Sequence, residues 1–165
     1  MAFTTIICAL IHEVGHILYL VLFTSSCHSI KSVVFGLKIK AVKFLSYKDE
    51  LLLYLSGPLA NLILGFVFWH LSVRDSFFYT MSIINIATAI SNLLPIEGYD
   101  GYGILRTIIE KHFPMGLFLR LLSIFSTLLV FLFCILSIYL IDRYGGGYWI
   151  FAVFFVQMIK QLQKI

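Results

Sequence analysis

The chain has 165 residues, of which 61% are hydrophobic and only 12% are charged, and its mean hydropathy is +0.99. A soluble domain would be about half apolar and about a quarter charged, so the composition excludes that class and indicates a multi-pass membrane protein with a single domain. The net charge of +4 does not indicate nucleic-acid binding, because the lysines lie in loops beside apolar segments, where they set orientation.

Apolar runs long enough to cross a bilayer recur along the chain. A spanning helix needs about 20 residues, with a range of about 17–25, and four runs meet that limit. A fifth is shorter, and either spans with flanking residues or lies in the interface. We therefore expect an all-α membrane protein, a bundle of about five transmembrane helices, at residues 1–24, 51–71, 77–94, 115–140 and 148–160.

The first run contains His12-Glu13-Val14-Gly15-His16 and no Lys or Arg. Ionisable side chains at membrane depth are costly, so they indicate function. Helical residues four apart lie on one face, so His12 and His16 can each present a ring nitrogen to one metal ion. This HExxH pattern supplies two zinc ligands and a glutamate that acts as general base toward metal-bound water. The alternative is a structural pair of histidines, hydrogen-bonded within the bundle.

The segment over residues 28–48 differs from its neighbours. It is β-branched and aromatic, and Lys38 and Lys40 alternate with apolar residues. The pattern predicts one or two short strands, a membrane-associated β-hairpin at about residues 30–46. An unstructured basic loop is the alternative.

The second run contains Ser56-Gly57-Pro58-Leu59-Ala60-Asn61. Gly57 and Ala60 allow close helix approach. Asn61 is an amide inside an apolar run, and two interpretations remain open. It can donate to a substrate carbonyl or to the oxyanion of a tetrahedral intermediate, or it can form an interhelical hydrogen bond between the second and first spans.

A catalytic zinc usually has three protein ligands, so a third is needed. Asp100 is the best candidate, because it follows the third run and Pro95 ends that helix. The glycines at 98, 101 and 103 let the backbone fold back into the membrane, which is tolerated where it lines a wet cavity. Alternatively, Asp100 caps a helix that begins near Tyr102, and Glu97 is the second candidate ligand.

Basic residues predict the orientation. They cluster after the first run, around the start of the fourth and at the chain's end, whereas the opposite side holds only Arg74 and Arg143. We therefore expect a multi-pass protein of the cell membrane with its N-terminus outside. The lysine-rich loop over residues 25–50, the segment 95–114 and the C-terminus are expected in the cytosol.

Three motifs together resemble the site-2 protease family of intramembrane zinc metalloproteases (peptidase family M50). They are HExxH at residues 12–16, GPxxN at residues 57–61, and N-x2-P-x4-D-G at Asn92, Pro95, Asp100 and Gly101. The resemblance covers roughly residues 1–112 and looks most similar to the compact sporulation-type branch. It implies a three-helix catalytic core in a single domain over residues 1–165, followed by C-terminal helices over 115–165.

The resemblance also implies one Zn²⁺ per chain, held by His12, His16 and Asp100, with Glu13 activating water and Asn61 orienting the scissile peptide. The activity would be that of a zinc metalloendopeptidase acting on a membrane protein or peptide substrate in the lipid bilayer. The basic hairpin would guide this substrate as an extended strand. A regulatory membrane partner and the oligomeric state are left open.

The residues around the third ligand depart from the family pattern. Site-2 proteases commonly read L-D-G-G around the third ligand, and here Tyr99 and Tyr102 flank Asp100-Gly101. Two other functions are considered: a non-proteolytic metal-binding membrane protein, such as a transporter or sensor, and a pseudo-protease scaffold. The former predicts that Glu13→Gln leaves function intact.

Overall fold

The computed structural model describes residues 2–23, 28–33, 36–41, 45–113, 115–145 and 148–162. These residues form helices and one pair of strands, in the order α1 Ala2–Phe23, β1 His28–Val33, β2 Gly36–Ala41, α2 Tyr47–Leu71, α3 Ser76–Asn92, α4 Asp100–His112, α5 Met115–Tyr144 and α6 Tyr148–Leu162. The predominantly helical architecture agrees with the class predicted from the sequence.

Three helices in the described part of the chain are long and apolar enough to cross a membrane. They are Thr4–Phe23, Tyr47–Leu71 and Gly116–Tyr144. The predicted third span falls on α3, which has 17 residues, and the predicted fifth span falls on α6, which has 15. The chain is a membrane protein whose described residues include three candidate spans, and a total of about five remains a prediction.

The first compact unit comprises Met1–Leu94. In it α1 packs against α2 and α3, and α2 packs against α3. Side-chain caps begin the latter two helices: the Ser46 hydroxyl accepts from the Asp49 amide at 3.2 Å, and the Asp75 carboxylate accepts from the Phe77 amide at 2.8 Å. The Ser46 cap explains why α2 begins at Tyr47, four residues before the predicted apolar run.

The strands β1 and β2 are antiparallel, with His28 opposite Ala41 and Val33 opposite Gly36. The pairing joins residues 28–33 to residues 36–41, whereas a hairpin was predicted at about residues 30–46. Residues 34–35 and 42–44 of that predicted segment lie outside the described residues. The association of the strands with a membrane stays a prediction.

The second compact unit comprises Pro95–Ile165. Here α5 packs against α4 and α6, and the rings of Phe133 and Phe154 stack at 4.9 Å between centroids. Ile96 and Val130 are fully buried. Many large apolar side chains along α5, such as Leu117 and Leu128, are exposed, as expected of a surface that meets lipid. The unit boundary after residue 94 differs from the boundary near residue 112 that was predicted for the catalytic core, and a single domain remains a prediction.

Candidate metal centre

His12 and His16 lie one turn apart on α1, and both are buried. Their imidazole rings meet edge to face, with 4.8 Å between centroids, and their Nε2 atoms are 3.2 Å apart. The helical spacing predicted from the sequence therefore brings two ring nitrogens together. The same α1 turn carries Glu13, which is half-buried.

The second ring nitrogen of His16 is held by the neighbouring helix. Its Nδ1 lies 2.8 Å from the Leu53 carbonyl oxygen, which accepts a hydrogen bond, and 3.3 Å from the Ser56 hydroxyl. The Ser56 hydroxyl itself donates to the Leu53 carbonyl at 2.7 Å. A proton on Nδ1 leaves the Nε2 lone pair of the neutral ring available, as in metal-binding histidines whose other nitrogen donates to a backbone carbonyl.

The spacing of the two Nε2 atoms fits a metal ion. Zn–N distances of about 2.0–2.1 Å with tetrahedral angles place two nitrogen ligands about 3.3 Å apart, and the observed separation is 3.2 Å. A direct hydrogen bond between the two rings is the alternative, and it requires His12 to carry its proton on Nε2. The pair is therefore compatible with one ion in the donor set that zinc prefers.

Two glycines make room for these rings. A Cβ on Gly57 would lie 2.6 Å from Cε1 of His16 and 2.8 Å from Cε1 of His12, and a Cβ on Gly15 would lie 2.7 Å from the Ser56 carbonyl oxygen. Real Cβ atoms essentially never come within 3.0 Å of such neighbours. The GPxxN element thus lets α2 approach α1 where the histidines lie, as the sequence predicted for Gly57.

Asn61 lies one turn beyond Gly57 on α2 and is fully buried. Neither its amide nitrogen nor its amide oxygen has a hydrogen-bond partner within the described segments. The structure therefore does not support the prediction of an interhelical hydrogen bond from Asn61 to the first span. A buried amide left unpaired costs about 1–3 kcal/mol, and the role of Asn61 as a donor to a substrate peptide stays a prediction.

Asp100 belongs to the second unit and is the first residue of α4. The N-cap is Tyr99, which makes no side-chain cap hydrogen bond, so the alternative prediction of Asp100 as the cap is wrong. The helix α4 begins at Asp100 itself, whereas an Asp100 cap would require it to begin at Gly101. The carboxylate of Asp100 in the first turn is favoured by the helix dipole. Burial raises the pKa of the neighbouring Tyr99 phenol, so this side chain stays neutral at physiological pH.

The turn before α4 is built by one glycine rather than three. Gly98 has a φ of +97°, and the Tyr99 amide donates to the Ile96 carbonyl at 2.9 Å. Gly101 and Gly103 are instead buried helical residues of α4, which corrects their predicted role in folding the backbone back. Glu97, the second candidate ligand, is the second residue of this turn.

Leu53 and Ser56 were missed as candidate residues in the sequence. A backbone carbonyl leaves no signal in the sequence, so Leu53 could not have been found. Ser56 precedes the GPxxN element by one residue and is polar in an apolar run, which was a usable signal.

The chain was compared with protein families and with known proteins. No protein-family model matches the chain. It is 28% identical over 111 residues to stage IV sporulation protein FB of Bacillus subtilis (strain 168), a match that covers 64% of this chain and 38% of that protein's length. The match therefore spans well under half of that relative's length.

A solved structure matches nearly the whole chain. The Site-2 Protease from Methanocaldococcus jannaschii matches with a TM-score of 0.67 and 20% sequence identity, over 98% of this chain and 75% of that chain. Sequence and structure comparisons thus both support the resemblance drawn from the three motifs. The chain has the fold of that site-2 protease.

Proposed function

We propose that the protein is an intramembrane zinc metalloendopeptidase that cleaves a peptide bond of a membrane-embedded or membrane-associated substrate. The observation that carries the proposal is the pair of buried Nε2 atoms, 3.2 Å apart in an apolar helix. The Leu53 carbonyl also fixes the ring of His16 with its Nε2 lone pair toward His12, as a metal-binding pair requires. The similarity to a site-2 protease supports the same activity.

We propose Asp100 as the third ligand. By type, His12, His16 and Asp100 form a donor set that could hold one metal ion, and two imidazoles with one carboxylate are an established set for catalytic zinc. Asp100 begins α4 directly after a tight turn, so its carboxylate is carried by rigid backbone on both sides. Glu97 lies within that turn.

The chain's own residues divide the chemistry between them. Bound zinc would lower the pKa of a coordinated water to about 7 and polarise the scissile carbonyl. Glu13 accepts the proton of the attacking water and returns it to the leaving amine. The Asn61 amide donates to the peptide oxygen as negative charge develops there, which satisfies its buried nitrogen.

The substrate must present an extended peptide to this site. A transmembrane helix hides its carbonyl groups in i→i−4 hydrogen bonds, so it has to unwind locally before attack. Helix-breaking residues near the scissile bond lower that cost, since Gly and Pro are about 1 and about 3 kcal/mol less favourable in a helix than Ala. We therefore expect preferred substrates to carry such residues near the cleaved bond.

Glu13→Gln tests the proposal. The full chain and the variant are reconstituted in liposomes with a panel of single-span membrane proteins, and cleavage and bound zinc are both measured. We expect cleavage to fall by about 10²–10⁴, the contribution of a general base, whereas zinc content stays that of wild type because Glu13 is no ligand.

Glu110→Gln is the matched control. Glu110 pairs with Arg106 at 2.7 Å within α4, and an exposed pair of this kind contributes little, so cleavage should persist. Equal cleavage by wild type and Glu13→Gln would contradict the proposal. So would zinc-loaded wild type that cleaves no member of the panel, a result that would favour the metal-binding transporter or sensor.

A further inference from the structure

The turn over residues 96–99 determines where α4 begins. Its closing hydrogen bond runs from the Tyr99 amide to the Ile96 carbonyl, and Gly98 has the positive φ that a type II turn requires at its third position. Glu97 is the second residue of the turn, and Asp100 follows it directly. Glu97 and Asp100 are therefore connected through one hydrogen-bonded turn.

Side chains from two later helices hold both backbone groups of Glu97. Its N–H donates to the Ser126 hydroxyl of α5 at 2.8 Å, and its carbonyl accepts from the Gln157 amide of α6. These partners lie 29 and 60 residues further along the chain. The backbone of one turn residue is thus fixed by tertiary contacts rather than by the turn alone.

A third side chain completes the cluster. The Gln161 amide, one turn after Gln157 on α6, donates to the same Ser126 hydroxyl at 2.9 Å. Ser126 is 0% exposed and Gln161 is 4% exposed. Breaking a buried hydrogen bond leaves a polar group without a partner, and this costs more free energy than breaking one at the surface. We call Ser126, Gln157 and Gln161 the Ser–Gln clamp.

We infer that the Ser–Gln clamp positions Asp100 for metal binding and that its three members are positioning residues. This inference rests on the proposed function, in which Asp100 is the third ligand. If the turn is already rigid, the Asp100 carboxylate binds the metal without further loss of conformational entropy. A mobile turn would lose that entropy on binding, which would weaken the affinity. The C-terminal helices, which were predicted only from their hydrophobicity, thereby have a role in the metal site.

Ser126→Ala is the main test, with Ser137→Ala as its control. Both serines are buried on α5, but the Ser137 hydroxyl donates at 2.7 Å to Cys134 of its own helix. The full chains are purified in detergent, and Zn²⁺ affinity is measured by chelator competition. Amide hydrogen exchange at residues 97–99 and thermal unfolding are measured on the metal-free forms.

We expect Ser126→Ala to weaken Zn²⁺ binding about 10–100-fold, the usual effect of an outer-shell partner, and to speed amide exchange at residues 97–99. Ser137→Ala should change neither, although it also deletes one buried hydroxyl. Gln157→Leu replaces the amide with an apolar side chain in an apolar helix and should reproduce both effects, so it serves if Ser126→Ala does not fold. Ser137→Ala accounts for the stability lost with a buried hydroxyl. The difference in Zn²⁺ affinity between Ser126→Ala and Ser137→Ala therefore separates a positioning role from a purely structural one.

Wild-type Zn²⁺ affinity in Ser126→Ala and Gln157→Leu would overturn the inference while leaving the proposed function intact. A wild-type chain that binds Zn²⁺ no better than His12→Ala would overturn both. Equal losses of affinity in Ser126→Ala and Ser137→Ala would also overturn the inference, because they would show that general destabilisation is the cause.

Discussion

At the scale of single residues, Gly57 supplies space and Asn61 supplies an unpaired amide, one turn apart on α2. The Cβ that Gly57 lacks would overlap both imidazole rings. The Asn61 side chain is buried with no hydrogen-bond partner in the described part of the chain. Each of these two residues leads to a separate prediction.

Gly57→Ala should weaken zinc binding. The added methyl group would lie 2.6 Å from Cε1 of His16, so the rings must rotate away from each other, and we expect affinity for Zn²⁺ to fall at least about 10-fold. Gly65→Ala is the control on the same helix, because its Cβ would meet Cγ1 of Ile86 on α3 at 2.7 Å and not the imidazole rings. Chelator competition on both purified variants measures the difference, and equal affinities would contradict the prediction.

Asn61→Leu should separate catalysis from stability. Leu has the same number of heavy atoms as Asn and no polar group, so the variant removes an unpaired buried amide and should unfold at a temperature equal to or above that of wild type. Cleavage should fall by about 10²–10³, as on loss of an oxyanion donor. The control is Asn85→Leu. In the wild-type chain the Asn85 amide donates to the Met81 carbonyl within α3 at 2.8 Å. A large drop in thermal stability with proportionate loss of activity would show that Asn61 is structural.

At the scale of elements, the boundaries are set by local chemistry that the sequence shows only in part. The apolar run over residues 51–71 indicated α2, but the Ser46 cap and the acidic residues Asp49 and Glu50 extend the helix to Tyr47. The glycines at 98, 101 and 103 looked alike in the sequence. Only Gly98 takes a positive φ, because α4 begins at Asp100 and absorbs the other two.

Gly98→Ala tests the importance of the turn as an element. Both Gly98 and Gly145 have positive φ, at +97° and +65°, so an alanine at either position costs about 1–3 kcal/mol of backbone strain. Gly145 follows α5, and a Cβ there would meet nothing within 4 Å. We expect both variants to lose thermal stability and only Gly98→Ala to lose Zn²⁺ affinity, which chelator competition measures. Parallel losses of affinity in both would argue against a specific role of the turn.

At the scale of the whole molecule, orientation in the membrane is a prediction from charge alone. In a background without native cysteines, Asp75→Cys and Lys111→Cys place single thiols at the start of α3 and the end of α4. The distribution of lysines predicts that a membrane-impermeant maleimide labels the former in intact cells and the latter only after permeabilisation. The reverse pattern would invert the proposed topology and place the lysine-rich loop outside.

The sequence by itself determined the membrane class, the helical pairing of His12 with His16, and the resemblance to site-2 proteases. It could do so because apolar composition and the i, i+4 spacing are local properties. It did not reveal the Leu53 carbonyl that holds His16, the missing partner of Asn61, or the clamp of Ser126, Gln157 and Gln161 on Glu97. Those contacts join residues 29 to 60 positions apart, and only the packing of helices in three dimensions decides which polar groups meet.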